Sequence, residues 1–154
     1  MNITIIGTGY VGLVSGACFA DLGNQVTCID IDKKKIKNIK NLSIPFYEPG
    51  LKEIISRNIS EARIHFTDSY QDVSSSDVIF LCIDTPQGLN GRPNLANFNS
   101  AINSIIENLN QSLVIVTKST VPIGTNAKLH TRINKNLNKK DIKVSICSNP
   151  EFLK

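Results

Sequence analysis

The stretch Asn2-Ile3-Thr4-Ile5-Ile6-Gly7-Thr8-Gly9-Tyr10-Val11-Gly12-Leu13 decides how the rest of the chain is read. Its apolar, β-branched opening predicts a buried strand over residues 2–6, and the G-x-G-x-x-G that follows directly opens a helix over about 11–22. The three glycines serve different ends. Gly7 permits the tight turn, Gly9 lets a pyrophosphate approach the backbone, and Gly12 lets helix and strand pack closely. Val14, Ala17, Cys18 and Leu22 fall on one helical face, expected to turn inward, and Gly16 extends the run of small residues. Free N–H groups and the positive dipole end at such a helix start suit a diphosphate without a basic side chain beside it. Strand, glycine turn and helix together form a dinucleotide-binding fingerprint, and it calls for an acid some 20 residues further on.

That acid is Asp30, at the end of a second strand predicted over 26–30. A carboxylate there accepts hydrogen bonds from the adenosine ribose and repels a 2′-phosphate, which selects NAD over NADP, although Lys33, Lys34 and Lys35 stand close enough to soften the repulsion. Asp32 reads instead as a helix-start residue favoured by the dipole of the next helix. Ile36 and Ile39 of that helix face inward and its lysines face water.

Beyond it the chain alternates strand-like and helix-like segments without repeats or low-complexity tracts, the pattern of an α/β domain. Pro45 and Pro49 interrupt it, and a short helix with Leu51, Ile54 and Ile55 leads to a weak strand at 64–66 whose alternation marks an edge. The continuous apolar run 78–83 predicts a central strand. Pro86, Gly88, Gly91 and Pro93 make the 84–94 connection irregular, and a helix with Phe98, Ile102, Ile105, Ile106 and Leu109 follows. A fifth strand at 113–117, a helix with Leu129, Ile133 and Leu137, and a sixth strand at 144–147 complete a doubly wound, Rossmann-type, mainly parallel sheet with helices on both faces. The expected strand order is 3-2-1-4-5-6, with the ligand crevice between the first and fourth strands.

Composition excludes several other readings. The 154 residues, 41% hydrophobic and 19% charged, suffice for one domain that buries about 70% of its unfolded surface. The longest apolar runs fall far short of the roughly 20 residues that cross a bilayer, and Met1 leads straight into the first strand without a secretory leader, so a cytoplasmic protein with no membrane partner is expected. The net charge of +4 comes from lysines in two local runs, 33–40 and 128–143, which read as solvated faces rather than a nucleic-acid surface. Cys18, Cys28, Cys82 and Cys147 are widely spaced within apolar patterns and are expected to pack in the core rather than bind metal. His65 and His130 have no partner at informative spacing and take no role.

Further motifs recur at strand ends: Tyr47-Glu48-Pro49-Gly50-Leu51, Thr85-Pro86, Lys118-Ser119-Thr120-Val121-Pro122-Ile123-Gly124-Thr125 and Ser148-Asn149-Pro150-Glu151-Phe152-Leu153. With the glycine fingerprint and Asp30-Ile31-Asp32, they make the whole chain resemble the N-terminal NAD-binding domain of the UDP-glucose/GDP-mannose dehydrogenase family, in the pattern of its UDP-glucose 6-dehydrogenases. The resemblance implies oxidation of UDP-glucose at C6 to UDP-glucuronate with two NAD, through a cysteine thioester. It implies that Tyr10 and Val11 border the pyrophosphate, Asp30 and Lys35 the adenosine ribose, and Thr85 and Thr120 the nicotinamide half. Glu151 would lie beside the reacting carbon and help activate water, partly buried and with the Thr120 hydroxyl orienting that water, while Phe152, Leu153 and Lys154 border the substrate.

Some features depart from the family pattern. The nucleophile of such enzymes sits in a Gly-Gly-x-Cys motif, and none of the four cysteines here stands in that setting. The central helix, the UDP-binding domain and the contacts of a homodimer or larger assembly are expected outside these 154 residues, which then form an NAD-binding domain inactive by itself. A stand-alone dinucleotide-binding module without turnover, or the same domain from a UDP-N-acetyl-mannosamine or GDP-mannose dehydrogenase, are the alternatives. Thr85-Pro86 could simply end a strand, Lys118 could serve hydrogen bonding or catalysis, and Glu48 reads as turn punctuation ahead of a substrate contact. The 87–94 loop departs from the family pattern and carries no role.

Overall fold

A computed structural model of the chain describes residues 1–88, 91–137 and 141–151. Six strands, β1 (Asn2–Ile6), β2 (Gln25–Ile29), β3 (Ile64–Thr67), β4 (Val78–Leu81), β5 (Leu113–Thr117) and β6 (Val144–Ser148), form one sheet in the order β3-β2-β1-β4-β5-β6. Every neighbouring pair is parallel. The order and direction are those expected, and β3 is indeed an edge strand. The fourth strand is central but ends at Leu81, two residues early; the Cys82 amide still donates to the Ile6 carbonyl, and Cys82 and Ile83 line the crevice.

Side-chain alternation gives each face of the sheet its own core. Ile3, Ile5, Val26, Cys28, Ile64 and Phe66 pack against α1 (Tyr10–Asp21), α2 (Lys33–Lys40) and α3 (Leu51–Ser60). Ile79, Leu81, Leu113, Ile115 and Val144 pack against α4 (Ala96–Asn108) and α5 (Thr125–Leu137) on the opposite face. Thr4 is a polar residue turned toward that second layer, and its buried hydroxyl lies 2.6 Å from Ser76 Oγ. In α2, Asp32 caps the helix by accepting from the Lys34 and Lys35 amides, and Ile36 and Ile39 are buried as expected. Its lysines are solvated, Lys35 being the half-buried exception.

Two expectations are corrected. The inward face of α1 is Gly12, Leu13, Gly16, Ala17 and Ala20, whereas Cys18 is exposed and Leu22 is 79% exposed. The helix is apolar nearly all round, so size rather than hydrophobicity chooses the face: a Cβ on Gly16 would sit 2.7 Å from Cys28 Sγ, a separation only glycine avoids. Of the four cysteines only Cys28 and Cys82 are core residues, because Cys147 lies on the edge strand β6 and is exposed like Cys18. No helix among the described residues is long and apolar enough to cross a membrane.

Candidate functional site

Parallel strands leave on opposite crossovers either side of β1, so the sheet opens at its carboxyl end between β1 and β4. Backbone bonds carry the ladder one step past both strands, from Gly7 N to the Ile29 carbonyl at 2.8 Å and from Cys82 N to the Ile6 carbonyl at 2.8 Å. Gly7 turns with φ +98°, and a Cβ on it would overlap the Cys82 carbonyl oxygen. A Cβ on Gly12 would overlap the Gly7 carbonyl oxygen. Both glycines are therefore required by the protein's own backbone. Gly9 differs: it has ordinary φ of −70°, and the nearest atom to a Cβ there is Asp84 Oδ1 at 4.0 Å. The space in front of it is open, and with glycine as N-cap no side chain satisfies the first amides of α1.

Two clefts meet at Gly9, Cys82, Ile83 and Asp84. The first, of about 260 Å³, is bounded by Asp30, Ile31, Lys35, Tyr70 and, from α4, Asn97, Ser100 and Ala101. Asp30 is 8% exposed and fully engaged. Its Oδ2 accepts from Thr8 N (2.9 Å), Thr8 Oγ1 (2.8 Å) and Lys35 Nζ (2.8 Å), and its Oδ1 accepts from Asp32 N (3.0 Å). Burial pushes this carboxyl up, but the Lys35 ammonium and the donors from Asp32 and Thr8 outweigh it and hold it below the usual carboxylate range. Tyr70 is pushed up to about 12, by burial first and by the Asp30 charge second, so its phenol stays neutral.

The second cleft, of about 340 Å³, is bounded by Tyr10, Val11, Thr85, Lys118, Ser119, Thr120 and Glu151, which arrive from the start of α1 and the ends of β4, β5 and β6. Ser119 is the clamp between these strand ends: its Oγ donates to the Leu81 carbonyl (3.1 Å) and accepts from Ile83 N (2.9 Å). Thr85 Oγ1 donates to the Thr120 carbonyl at 2.6 Å, a strut between the loops. Lys118 Nζ forms an ion pair with Glu151 Oε2, their side chains 17% and 27% exposed. The partial burial of Glu151 matches expectation, but the group beside it is the Lys118 ammonium, and Thr120 enters the network through its backbone carbonyl. Cys82 lies beneath the junction, its thiol pushed up to about 12 by burial, with opposing smaller influences from Lys118 and Glu151.

The structure thus gathers Gly7, Gly9, Tyr10, Val11, Asp30, Lys35, Thr85, Thr120 and Glu151 along the two joined clefts, while Gly12 lies behind them, packed against Gly7 and Cys82. Phe152, Leu153 and Lys154 lie outside the described residues. Sequence reasoning missed Tyr70, Asn97 and Ser100, since nothing local marks them, gave Thr8 no role within the glycine turn, and missed the side chain of Glu48. That carboxylate accepts from Tyr10 Oη at 2.6 Å, while the ring of Tyr10 rests on Phe46 at 5.0 Å between centroids. The spacing of 38 residues gives no sequence signal for the bond. Among the described residues no three His, Cys, Asp or Glu side chains gather to hold a metal.

Comparison with known proteins is consistent across sequence and structure. The family model described as "UDP-glucose/GDP-mannose dehydrogenase family, NAD binding domain" matches residues 1–154. The chain is 43% identical over 155 residues to the UDP-glucose 6-dehydrogenase YwqF of Bacillus subtilis, covering all of this chain and 35% of that relative. It therefore spans about a third of the relative's length. Among solved structures, a ternary complex of GDP-mannose dehydrogenase from Pseudomonas aeruginosa superposes with TM-score 0.91 at 31% identity, over all of this chain and 37% of that one. A UDP-D-ManNAc dehydrogenase from Pyrococcus horikoshii gives TM-score 0.92 at 26% identity, with 100% and 37% coverage. A glycine turn open only at Gly9, an acid ending β2 and a match from end to end leave one conclusion: the chain belongs to the UDP-glucose/GDP-mannose dehydrogenase family, as its NAD binding domain.

Proposed function

We propose that the crevice holds NAD along its length, with adenosine in the Asp30 cleft and nicotinamide in the Glu151 cleft, and that the domain serves oxidation of UDP-glucose at C6 to UDP-glucuronate. The observation that carries the cofactor placement is the contrast among the glycines. Gly7 and Gly12 are dictated by packing, whereas Gly9 leaves free space against the unsatisfied amides of α1, where a pyrophosphate is accepted. Tyr10 and Val11, the first residues of the helix, border that anion.

On the adenosine side, Asp30 receives the ribose hydroxyls and Lys35 shifts off or shares its carboxylate, while Ile31 and Ile83 offer apolar contact for the base. A 2′-phosphate there would be repelled by an Asp30 held firmly ionised, which favours NAD over NADP. On the other side, Thr85 and Thr120 flank the nicotinamide and Glu151 faces the substrate carbon. NAD supplies the hydride acceptor. The protein's part is to bind, to orient, and through the Glu151 carboxylate to hold or move the proton of a water molecule. Cys82, raised to about 12 and 8% exposed, stays a thiol at neutral pH and is unsuited to be the nucleophile of a thioester step. That nucleophile and most sugar contacts belong to other parts of such an enzyme, so the 154 residues bind NAD without turnover.

UDP-glucose is favoured as the substrate because curated relatives with 43% and 45% identity are UDP-glucose 6-dehydrogenases. Calorimetric titration of the chain with NAD and NADP tests the cofactor half, and tighter binding of NADP would sink it. Assay of NADH formation with UDP-glucose tests the rest: steady turnover by the 154 residues would refute their role as a cofactor domain only.

A further inference from the structure

The Lys118–Glu151 pair is a close contact of unlike charges within the second cleft, and its position is fixed by the fold rather than by chance of side-chain reach. Lys118 follows β5 directly, and its amide donates to the Leu81 carbonyl of β4 at 3.0 Å, so the stem of the cation is tied to the central ladder. Glu151 follows β6 and reaches back across the neighbouring strand end. With side-chain exposures of 17% and 27%, both groups stand partly out of solvent, where a unit charge acts more strongly than in bulk water.

Beside the pair, the other polar groups lining this cleft are either exposed or neutral. Asp84 is exposed, at the junction with the first cleft. Tyr10 is held as a neutral phenol, chiefly by donating to Glu48, and the Cys82 thiol is neutral as well. Thr85, Ser119 and Thr120 carry no charge.

The oxidised and reduced forms of a nicotinamide dinucleotide share adenosine, ribose and pyrophosphate and differ by one positive charge, carried on the nicotinamide ring. A charge near the ring therefore changes the ratio of the two affinities, while everything else along the crevice cancels from that ratio. We propose that Lys118 is a specificity-determining residue that neutralises Glu151 and so keeps the cleft from favouring the oxidised, cationic ring over the reduced, neutral one. The inference rests on the placement of nicotinamide in the Glu151 cleft. Its consequence for the domain is that oxidised and reduced cofactor exchange without one being trapped by a bare carboxylate.

The test is calorimetric titration of the 154-residue chain with NAD+, NADH and ADP-ribose, for wild type, Lys118→Met, Glu151→Gln and the double variant. The quantity read is the ratio of the NADH to the NAD+ dissociation constant. Exposing Glu151 in Lys118→Met is expected to raise that ratio about fivefold, and leaving Lys118 alone in Glu151→Gln to lower it about fivefold, a magnitude tempered by solvent at the cleft mouth. The double variant is expected to return within about twofold of wild type, as coupled neighbours should. A merely structural role would weaken both forms together and leave the ratio still, and because both forms meet the same protein, the ratio decides even where a variant is less stable. Shifts of both single variants in the same direction, or shifts below about twofold with ADP-ribose still bound, would overturn the proposal while sparing the cofactor reading. Failure of wild type to bind either NAD+ or ADP-ribose would end that reading and this inference with it.

Discussion

The Asp30 half of the crevice takes Gly7, Thr8 and Asp30 from the turns that end β1 and β2, and Asp32 and Lys35 from the cap and first turn of α2, whereas the Glu151 half takes Thr85, Lys118, Ser119 and Glu151 from the ends of three different strands. The first half is organised around one buried carboxylate that accepts four hydrogen bonds. The second is organised around neutral hydroxyls that brace backbone carbonyls, with its charges held as a partly buried ion pair. On the proposed placement of NAD, the Asp30 half would use the same atoms for cofactor recognition and for folding. On the same proposal the Glu151 half separates the two, since Ser119 and Thr85 brace its loops while the Lys118–Glu151 pair lies apart from those bonds.

This contrast leads to substitutions of decreasing effect. Gly12→Ala forces a methyl into the Gly7 carbonyl, backbone against backbone, and is expected to cost about 3 kcal/mol or more of stability, whereas Gly9→Ala should melt close to wild type and yet bind NAD at least about tenfold more weakly. Thermal unfolding and calorimetry of the two variants check this, and a wild-type melt for Gly12→Ala would refute the packing argument.

Asp30→Asn comes next, with a loss of about 1–3 kcal/mol at neutral pH together with weakened NAD binding. The Asp30 pKa is lowered from the ordinary 3.8 on folding, so its stabilisation is fully present above that value and disappears as pH falls through the lower folded pKa. Denaturant titrations between neutral pH and about pH 2 should show the gap between wild type and Asp30→Asn closing as acid is added. A gap constant with pH would mean that the lost stability is not electrostatic.

Ser119→Ala removes a buried hydroxyl that serves one donor and one acceptor, for about 1–2 kcal/mol. If the Glu151 half is as separable as argued, its NAD affinity should change far less than that of Asp30→Asn. Smallest of all, Tyr10→Phe breaks an exposed bond to Glu48 and is expected to leave the melting temperature unchanged. A marked drop would show that the α2–α3 connection depends on that contact.

Much of the fold and the Asp30 half can be read from sequence because their signals are local. Strand runs, the glycine turn and an acid at the end of β2 lie within short windows, and the parallel crossover rule then leaves few strand orders. The α1 face is not legible in this way, because hydrophobic periodicity is uninformative when all sides of a helix are apolar, and there the decisive quantity is the clearance at Gly16. In the Glu151 half the motifs are legible but their partners are not. Lys118 and Glu151 stand 33 residues apart on separate strand ends, and only the β5–β6 pairing brings them together. Tyr70, Asn97 and Ser100 reach the first cleft from elements that nothing in their own composition links to it.

The Ser119 clamp has a consequence for the thermodynamics of association. By fixing the Ile83 amide to the loop after β5, it orders the floor shared by both clefts when the chain folds, before any ligand arrives. A ligand then meets a surface whose conformational entropy is already spent, and less of its contact energy is lost to immobilising the loop.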